Sequence, residues 1–168
     1  MNKVLITGVA GLLGSRLASW IIENTDYEVI GIDDLSGGYT ENIHNKVKFY
    51  KFNLNDLESL KGVFEKEKIT IVYHFAAYAA EGLSPFIRKY NYDNNLITST
   101  NLITCSIQYN VSRFVFASSM SVYGDKYKPP FSEDMKQAPI DPYAVAKYAV
   151  EMDLEIAFKQ HGLNYTIV

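Results

Sequence analysis

The sequence predicts an α/β fold in which a doubly wound parallel sheet lies between two layers of helices. Three observations carry this prediction. The chain opens with an apolar strand, a glycine-rich turn and a helix, short apolar runs then alternate with helical patterns, and small or polar residues follow several of the predicted strands. Because ligands bind beyond the carboxyl ends of the strands in such sheets, those residues are candidates for a site.

The first strand is followed by three glycines at a spacing of three. Val4 to Ile6 form the apolar run, and Gly8, Gly11 and Gly14 come after it. Gly8 allows a tight turn, Gly11 lets the backbone approach a pyrophosphate, and Gly14 lets the helix pack closely on the strand. The N–H groups and the dipole at the start of the helix then face the phosphates. The pattern indicates a dinucleotide site of the Rossmann type, with the ordinary end of a strand as the alternative.

The helix after this turn is predicted to have one apolar side. Leu13, Leu17, Trp20 and Ile21 share that side, and Arg16, Ser19 and Glu23 fall on the other. We therefore expect the apolar set to pack against the sheet.

The second strand ends in two acidic residues. Residues 28–32 form the strand, and Asp33 lies 19 residues after Gly14. A spacing of about 20 is typical of the carboxylate that binds the ribose hydroxyls of adenosine. An acid here repels a 2′-phosphate and no arginine follows closely, so NAD is favoured over NADP. A solvated turn at Asp33 and Asp34 is the alternative.

The remaining elements follow from apolar runs and their boundaries. Strands are predicted at 47–52, 69–75, 113–118 and 163–168, and the second of these is apolar enough to be central. Helices are predicted from a polar cap within 53–56 to about Lys66, from near Pro85 or Asn91 to Tyr109, and from Pro142 to His161. The middle helix has Leu96, Ile103 and Ile107 on its apolar side, and residues 81–85 and 124–142 are predicted to be loops.

Four predicted strand ends carry the candidate site: Gly8, Asp33, Ala76 and Ser119. The small side chains at 76–77 would let a flat group such as a nicotinamide ribose approach, although simple close packing explains them equally well. The glycine turn at 35–39 follows the second strand, where the adenosine end of a cofactor would lie.

The last helix carries a candidate acid–base pair. Tyr143 and Lys147 share a face, and Val150, Leu154 and Phe158 extend that face inward. A tyrosine with an ordinary pKa near ~10 must lose roughly 3 units to act as a base at neutral pH, and a neighbouring ammonium favours the phenolate. The Ser119 hydroxyl could hold the substrate oxygen during proton transfer. A core tyrosine beside a surface lysine is the alternative.

Composition limits the function classes. The 168 residues are 48% hydrophobic with a net charge of −3, which predicts one domain over residues 1–168 and no nucleic-acid partner. No signal peptide or membrane-spanning run is visible, so no membrane partner is expected. Cys105 is alone, so it cannot form an intramolecular disulfide, and we predict a buried thiol in a cytoplasmic protein. No metal site is predicted.

Five motifs together resemble the extended short-chain dehydrogenase/reductase family, in its nucleotide-sugar epimerase/dehydratase branch. Residues 7–14 match T-G-x-x-G-x-x-G, 74–77 match H-x-A-A, 118–124 match S-S-x-x-V-Y-G, and 141–147 match S/D-P-Y-x-x-x-K, while Asn95 with 101–103 resembles N-x-x-G-T-x-N-L-L. The similarity covers essentially the whole chain. Two departures are Asn53, where the family has an aspartate that reaches the adenine amine, and Thr98-Ser99, where it has Gly-Thr.

This resemblance implies a set of site residues. The catalytic residues would be Ser119, Tyr143 and Lys147. The residues lining or supporting the NAD site would be Gly8, Gly11, Leu12, Leu13, Gly14, Asp33, Asp34, Asn53, Leu54, Phe75, Ala76, Ala77 and Asn95, together with Tyr143 and Lys147.

The resemblance also narrows the expected reaction. Dehydratases of the family carry Asp-Glu after the catalytic hydroxyl, and decarboxylases carry a Glu, whereas this chain has Met120 and Ser121. The best fit is therefore an NAD-dependent isomerase that epimerises C4 of a UDP-sugar while the cofactor stays bound. An NAD(P)-dependent reductase or dehydratase of the same family and a non-catalytic dinucleotide-binding module are the alternatives.

Family members continue beyond this length into a part that builds the sugar-nucleotide pocket. We therefore expect the chain to be the N-terminal, cofactor-binding part of a longer enzyme, without the C-terminal substrate domain. Alone it should bind NAD weakly and turn over no sugar nucleotide. In the family, helices near 91–109 and 143–161 form a dimer, which implies a homodimer at full length.

Overall fold

The computed structural model describes residues 2–168, and six parallel strands form one sheet. The strands are β1 (Lys3–Thr7), β2 (Glu28–Asp33), β3 (Lys48–Lys51), β4 (Ile71–His74), β5 (Arg113–Phe116) and β6 (Tyr165–Ile167). The α-helices are α1 (Leu12–Asn24), α2 (Leu57–Glu67), α3 (Arg88–Tyr92), α4 (Thr98–Gln108) and α5 (Pro142–His161). The spatial order β3-β2-β1-β4-β5-β6 confirms the doubly wound parallel sheet.

The order of the strands reverses between β1 and β4. The chain first builds outward from β1 through β2 to β3, then crosses back to β4 on the other side of β1. This switch point leaves a crevice beyond the carboxyl ends of β1 and β4, which is where such sheets bind ligands.

The two faces of the sheet have separate hydrophobic cores. One core joins Leu5 of β1 to residues of α2, α4 and α5, and its largest fully buried side chains include Phe64 and Phe114. The other core joins Val4 and Ile6 to α1. Successive residues of β1 point to opposite faces, so every apolar residue of that strand contributes to one core or the other.

The predicted apolar side of α1 is wrong in two of its four members. Leu13 and Trp20 are 61% and 58% exposed, whereas Gly14, Ala18 and Ile21 are buried against the sheet. The reason is the close approach at Gly14, where a methyl group would lie 2.2 Å from the carbonyl oxygen of Gly8. That contact fixes the rotation of the helix about its axis and turns the small residues inward.

The long helix predicted from near residue 85 to 109 is interrupted. A π-helical turn, Asp93–Ile97, separates α3 from α4, and a 3₁₀ turn, Glu81–Phe86, precedes them. Another 3₁₀ turn, Met120–Tyr123, follows β5. None of the three turns has a signal in the hydrophobic periodicity. π-Helical turns are frequent at functional sites, and this one lies beside the crevice.

Each of the four later strands is two or three residues shorter than predicted. On α5 the inward stripe ends at Leu154, since Phe158 is 48% exposed and Ala157 is buried in its place.

Cys105 is buried as predicted. None of the helices within residues 2–168 is long and apolar enough to cross a membrane. Cytoplasmic location stays a prediction.

Candidate functional site

The glycine turn between β1 and α1 has a left-handed backbone and packs closely against its neighbours. Gly8 has a φ of +70°, and a methyl group there would lie 2.8 Å from the amide nitrogen of Ala76. Another residue at position 8 would be strained by this φ, and its side chain would collide with the loop after β4. Its own N–H donates to the carbonyl oxygen of Ile32 at 2.9 Å, which ties the turn to β2.

The start of α1 is open to an anion. The residue that caps the helix is Gly11, which has no side chain to accept from the first-turn N–H groups. Within the part of the chain that the structure describes, the N–H groups of Leu12 and Leu13 have no backbone or side-chain acceptor. A phosphate oxygen would satisfy these donors, and the helix dipole favours its charge.

A cleft of about 200 Å³ runs from this turn across the carboxyl ends of β2 and β1. Nine of the predicted cofactor residues line it: Gly8, Gly11, Asp33, Asp34, Asn53, Leu54, Phe75, Ala76 and Ala77. The predicted glycine turn contributes 36–38, and Tyr78, Tyr90, Asn94 and Thr98 line it without having been predicted. Leu12 lines a neighbouring groove with Arg16.

Three other predicted cofactor residues do not line this cleft. Leu13 is exposed beside it, and Gly14 is buried under the turn as the packing contact of α1. Asn95 is 1% exposed and supports the cleft from behind. Its amide accepts from the N–H of Tyr78 at 2.9 Å and donates to the carbonyl oxygen of the same residue at 3.1 Å.

Buried hydrogen bonds connect this support to the glycine turn and to α5. The Asn95 amide also donates to Asn91, whose own amide donates to the carbonyl oxygen of Pro142 at 2.9 Å. The His74 ring contacts the hydroxyl oxygens of Thr7 at 2.7 Å and Ser99 at 2.8 Å. Burial lowers the pKa of His74 to about 3, so this ring is a neutral structural bridge.

The two acidic residues after β2 are held in different ways. Asp33 accepts from the N–H of Ala10 at 3.0 Å and of Leu35 at 2.8 Å, which turns its half-buried carboxylate into the cleft. Asp34 accepts from the N–H of Ser36 at 2.9 Å and from the Asn53 amide at 2.6 Å. Burial by itself raises the pKa of Asp34, but hydrogen bonds from Ser36 and Asn53 outweigh it and leave the pKa below its usual range.

The contact of Asn53 with Asp34 explains why an amide suits this position in the present chain. Asn53→Asp would place a second carboxylate 2.6 Å from the first. Since like charges oppose each other's ionisation, we expect a loss of about 1 kcal/mol in the free energy of unfolding at pH 7 that disappears below about pH 4. Urea unfolding across this pH range measures it. Asn55→Asp, which adds the same charge at an exposed position, is the control, and equal behaviour of the two variants would contradict the assignment.

The three predicted catalytic residues lie one strand further along the sheet. Ser119 follows β5, which pairs with β4, and Tyr143 and Lys147 are in the first turns of α5. Asp141 caps this helix by accepting from the N–H of Ala144 at 2.9 Å. Ser84 is buried beside the cap, where its hydroxyl accepts from the N–H of Tyr143 at 3.2 Å. The cap and Ser84 together fix the start of the helix.

Lys147 is almost completely buried. It is 4% exposed, and its Nζ donates to the carbonyl oxygen of Ala117 at 2.8 Å and lies 5.7 Å from the centre of the Tyr143 ring. Burial lowers the pKa of Lys147 to about 8, so the amine is still largely charged at pH 7. The residue is therefore the inward cation predicted from its spacing to Tyr143.

The expected depression of the Tyr143 pKa is not found in the chain itself. Burial raises the pKa of Tyr143, a hydrogen bond from Ser119 lowers it, and the nearby carboxylates of Glu81 and Asp141 raise it again. The spacing of Tyr143 and Lys147 in the sequence carries no information on desolvation or on the two acids, which raise the pKa. The geometry of the pair is as predicted, but the phenol in this chain holds its proton more tightly than a free tyrosine does.

Neither Tyr143 nor Lys147 lines the cleft at its adenosine end. They were predicted to contact the cofactor, but neither is among the residues that line the cleft, and Lys147 contacts the end of β5, the strand beside β4. A dinucleotide with its phosphates at the start of α1 would have to extend past Ala76 to reach them.

Within residues 2–168 no three histidine, cysteine or acidic side chains are grouped as metal ligands would be.

Residues 4–168 match the NAD dependent epimerase/dehydratase family. A UDP-glucose 4-epimerase of Schizosaccharomyces pombe is 36% identical over 165 residues, which cover 92% of this chain and 46% of that protein. The chain spans about half the length of the curated relatives it matches.

Solved structures show the same architecture. The Thermotoga maritima UDP-glucose 4-epimerase with UDP-glucose superposes with a TM-score of 0.95 at 36% identity, over 98% of this chain and 54% of that one. The Thermus thermophilus UDP-glucose 4-epimerase in complex with NAD gives a TM-score of 0.93 at 31% identity, over 98% and 53% of the two chains. The similarity of fold and sequence therefore extends over the whole described region.

Proposed function

The chain belongs to the NAD-dependent epimerase/dehydratase family, and from that premise we propose that it provides the cofactor site and the proton-transfer residues of a UDP-sugar 4-epimerase. Its cofactor is NAD, as in the structural relatives solved with that dinucleotide. The observation that carries the proposal is the arrangement of Ser119, Tyr143 and Lys147 around the end of β5, directly beside the dinucleotide cleft.

The cleft residues fit NAD on chemical grounds. The uncapped start of α1 offers N–H donors to a pyrophosphate, and the turn before it packs against the backbone of Ala76, which a side chain at Gly8 would prevent. Asp33 presents carboxylate oxygens to ribose hydroxyls and would repel the 2′-phosphate of NADP. The small residues Ala76 and Ala77 form the wall that leads toward the nicotinamide end.

NAD supplies a hydride acceptor when it is bound. Tyr143 would take the proton from the C4 hydroxyl of the sugar and return it after the intermediate ketone is reduced on its other face. Ser119 would donate a hydrogen bond to the reacting oxygen. Lys147 contributes positive charge close to the Tyr143 ring, which favours the phenolate over the neutral phenol. The relatives that are UDP-glucose 4-epimerases support the choice of a UDP-sugar.

We place the sugar-nucleotide pocket largely outside these 168 residues. The support is the coverage of the relatives, since matching chains are about twice as long. This domain assignment predicts that the chain binds the dinucleotide without completing turnover.

Homodimerisation is also proposed, and is supported by an exposed apolar row on α5 formed by Val145, Met152 and Ile156. Sedimentation velocity tests it.

Two measurements test the proposed function. For the 168-residue chain, we expect NAD at millimolar concentration to raise the melting temperature by a few degrees and NADP to raise it less, because Asp33 opposes the extra phosphate. For the full-length protein that carries the chain, we expect C4 epimers of a UDP-sugar to interconvert without accumulation of NADH.

Three results would count against the proposal. Equal stabilisation by the two dinucleotides would contradict the cofactor assignment. Stoichiometric appearance or consumption of reduced cofactor would indicate a reductase instead. Stabilisation by NAD with no exchange on a panel of UDP- and dTDP-sugars would favour a binding module.

A further inference from the structure

We propose that Ser121 is a positioning residue that makes the Ser119 hydroxyl a hydrogen-bond donor only, so that the substrate proton passes directly to Tyr143. This inference rests on the proposed function and deepens it. In the sequence, Ser121 served only to disfavour dehydratases and decarboxylases of the family. The proposal gives its side chain a role in the epimerisation.

The observation is a pair of hydrogen bonds within the 3₁₀ turn after β5. The N–H of Ser121 donates to the Ser119 Oγ at 3.2 Å, and the Ser121 hydroxyl donates to the same oxygen at 2.9 Å. Ser119 caps the turn with this oxygen, so its side chain is held in one direction. Both serines are half-buried, which limits competition from water.

The number of donors and acceptors on the Ser119 hydroxyl determines which further hydrogen bonds it can form. A serine hydroxyl has one proton and two acceptor lone pairs. Ser121 uses both acceptor positions of Ser119, and the proton of Ser119 is left to point away from Ser121. That proton is available to the oxygen of a bound substrate or, before the substrate binds, to the Tyr143 oxygen, and a bond to that oxygen lowers the phenol pKa.

This arrangement determines the route of the substrate proton. In the oxidation step the O–H bond at C4 would break and a new O–H bond would form on the Tyr143 phenolate, while NAD, when bound, would supply the acceptor for the C4 hydride, so that a carbonyl is left at C4. Ser119 keeps its own proton and donates to the C4 oxygen throughout. With both lone pairs occupied, it cannot take the substrate proton first and relay it.

The Ser121 hydroxyl should also make Ser119 a stronger donor. Hydrogen bonds in a chain polarise one another, so an oxygen that accepts two bonds donates its own proton more strongly. A stronger donor favours the Tyr143 phenolate before the substrate binds, and it stabilises negative charge that develops on the C4 oxygen once the substrate is bound. Ser121 therefore acts on the reaction through Ser119 without contacting the reacting atoms.

The test compares four variants of the full-length protein: Ser121→Ala, Ser121→Thr, Ser119→Ala, and the double variant with alanine at both positions. Ser121→Ala keeps the backbone bond but loses the hydroxyl, and we expect kcat for epimer exchange to fall about two- to tenfold near neutral pH, the equivalent of one hydrogen bond. The acidic limb of the pH profile should move to higher pH. Ser121→Thr keeps a hydroxyl and should restore most of the lost rate.

The double variant separates positioning from other roles. If Ser121 acts through Ser119, its loss should have no further effect in the Ser119→Ala background. An additive loss in that background overturns the proposal, and so does a raised KM with an unmoved pH profile, which would make Ser121 a substrate contact. Absence of exchange in the unmodified protein would refute the proposed function itself, and is seen before any variant is compared. Unchanged melting temperatures with NAD show that the variants are folded.

Discussion

Tyr143→Phe is expected to reduce epimer exchange at least about 10³-fold in the full-length protein while leaving NAD binding nearly unchanged. The substitution removes one oxygen from a ring that is 8% exposed and packed at the start of α5. The ring keeps its packing, so the dinucleotide cleft, whose wall it does not form, should keep its shape. Only the group that takes and returns the C4 proton is lost.

The measurement is the rate of exchange between C4 epimers at saturating substrate, combined with the NAD-dependent rise in melting temperature. Tyr148→Phe, one turn further along the same helix and half-buried, is the matched control and should retain the exchange rate. The unmodified protein should lose activity as the pH falls, because the phenol must be deprotonated and burial raises its pKa. A Tyr143→Phe protein that keeps more than a tenth of the rate would assign the proton transfer elsewhere.

Lys147→Met is expected to abolish exchange and, at the same time, to stabilise the fold. The ammonium is buried, and its pKa of about 8 lies well below the ordinary lysine value of about 10.5. At about 1.36 kcal/mol per pKa unit, burying the charge costs roughly 3 kcal/mol at neutral pH. Loss of the hydrogen bond to the Ala117 carbonyl offsets about 1 kcal/mol of the gain, so we expect a net increase of about 2 kcal/mol in the free energy of unfolding at pH 7.

The pH dependence of this stability difference shows whether the buried charge of Lys147 causes it. Between pH 8 and about pH 10.5 the unfolded chain binds a proton at Lys147 that the folded chain does not, so the folded state of the unmodified chain gains stability as the pH rises. The advantage of Lys147→Met should therefore be full below pH 8 and shrink above it. Urea unfolding at pH 7 and pH 9.5 measures the difference between the two proteins.

Lys159→Met removes a lysine from the exposed end of the same helix and serves as the control. Its effect on stability should be small at both pH values, since its ammonium lies in solvent. A Lys147→Met chain that is less stable than the unmodified chain at pH 7 would show that the bond to Ala117 outweighs the cost of burial. Loss of exchange together with a gain in stability would show that this lysine is retained for function.

Much of the site could be predicted because its signals are local in the sequence. The spacing of Gly8, Gly11 and Gly14 predicted a turn that the structure shows to be pressed against the neighbouring loop. The i, i+4 spacing of Tyr143 and Lys147 placed both on the inward face of α5. Asp33 was placed by its distance along the chain from the glycines, and its carboxylate does line the cleft.

Other features of the site depend on partners far away in sequence. The resemblance implied only that Asn95 lines or supports the cofactor site, and the structure shows that its amide holds the backbone of Tyr78. Thr98, which lines the cleft, directly follows the π-helical turn. No pattern of apolar residues indicates such a turn, because it is stabilised by buried amide contacts between separate segments.

The sequence by itself determined the order of strands and helices, the glycine turn and the phenol–amine pair, since each of these depends on residues within a few positions of one another. Only the tertiary structure decided which side of α1 is buried and how tightly Tyr143 holds its proton. The first is set by the contact of Gly14 with Gly8. The second is set by desolvation and by the Glu81 and Asp141 charges. Packing and electrostatic effects of this kind depend on neighbours in space, which periodicity and spacing do not encode.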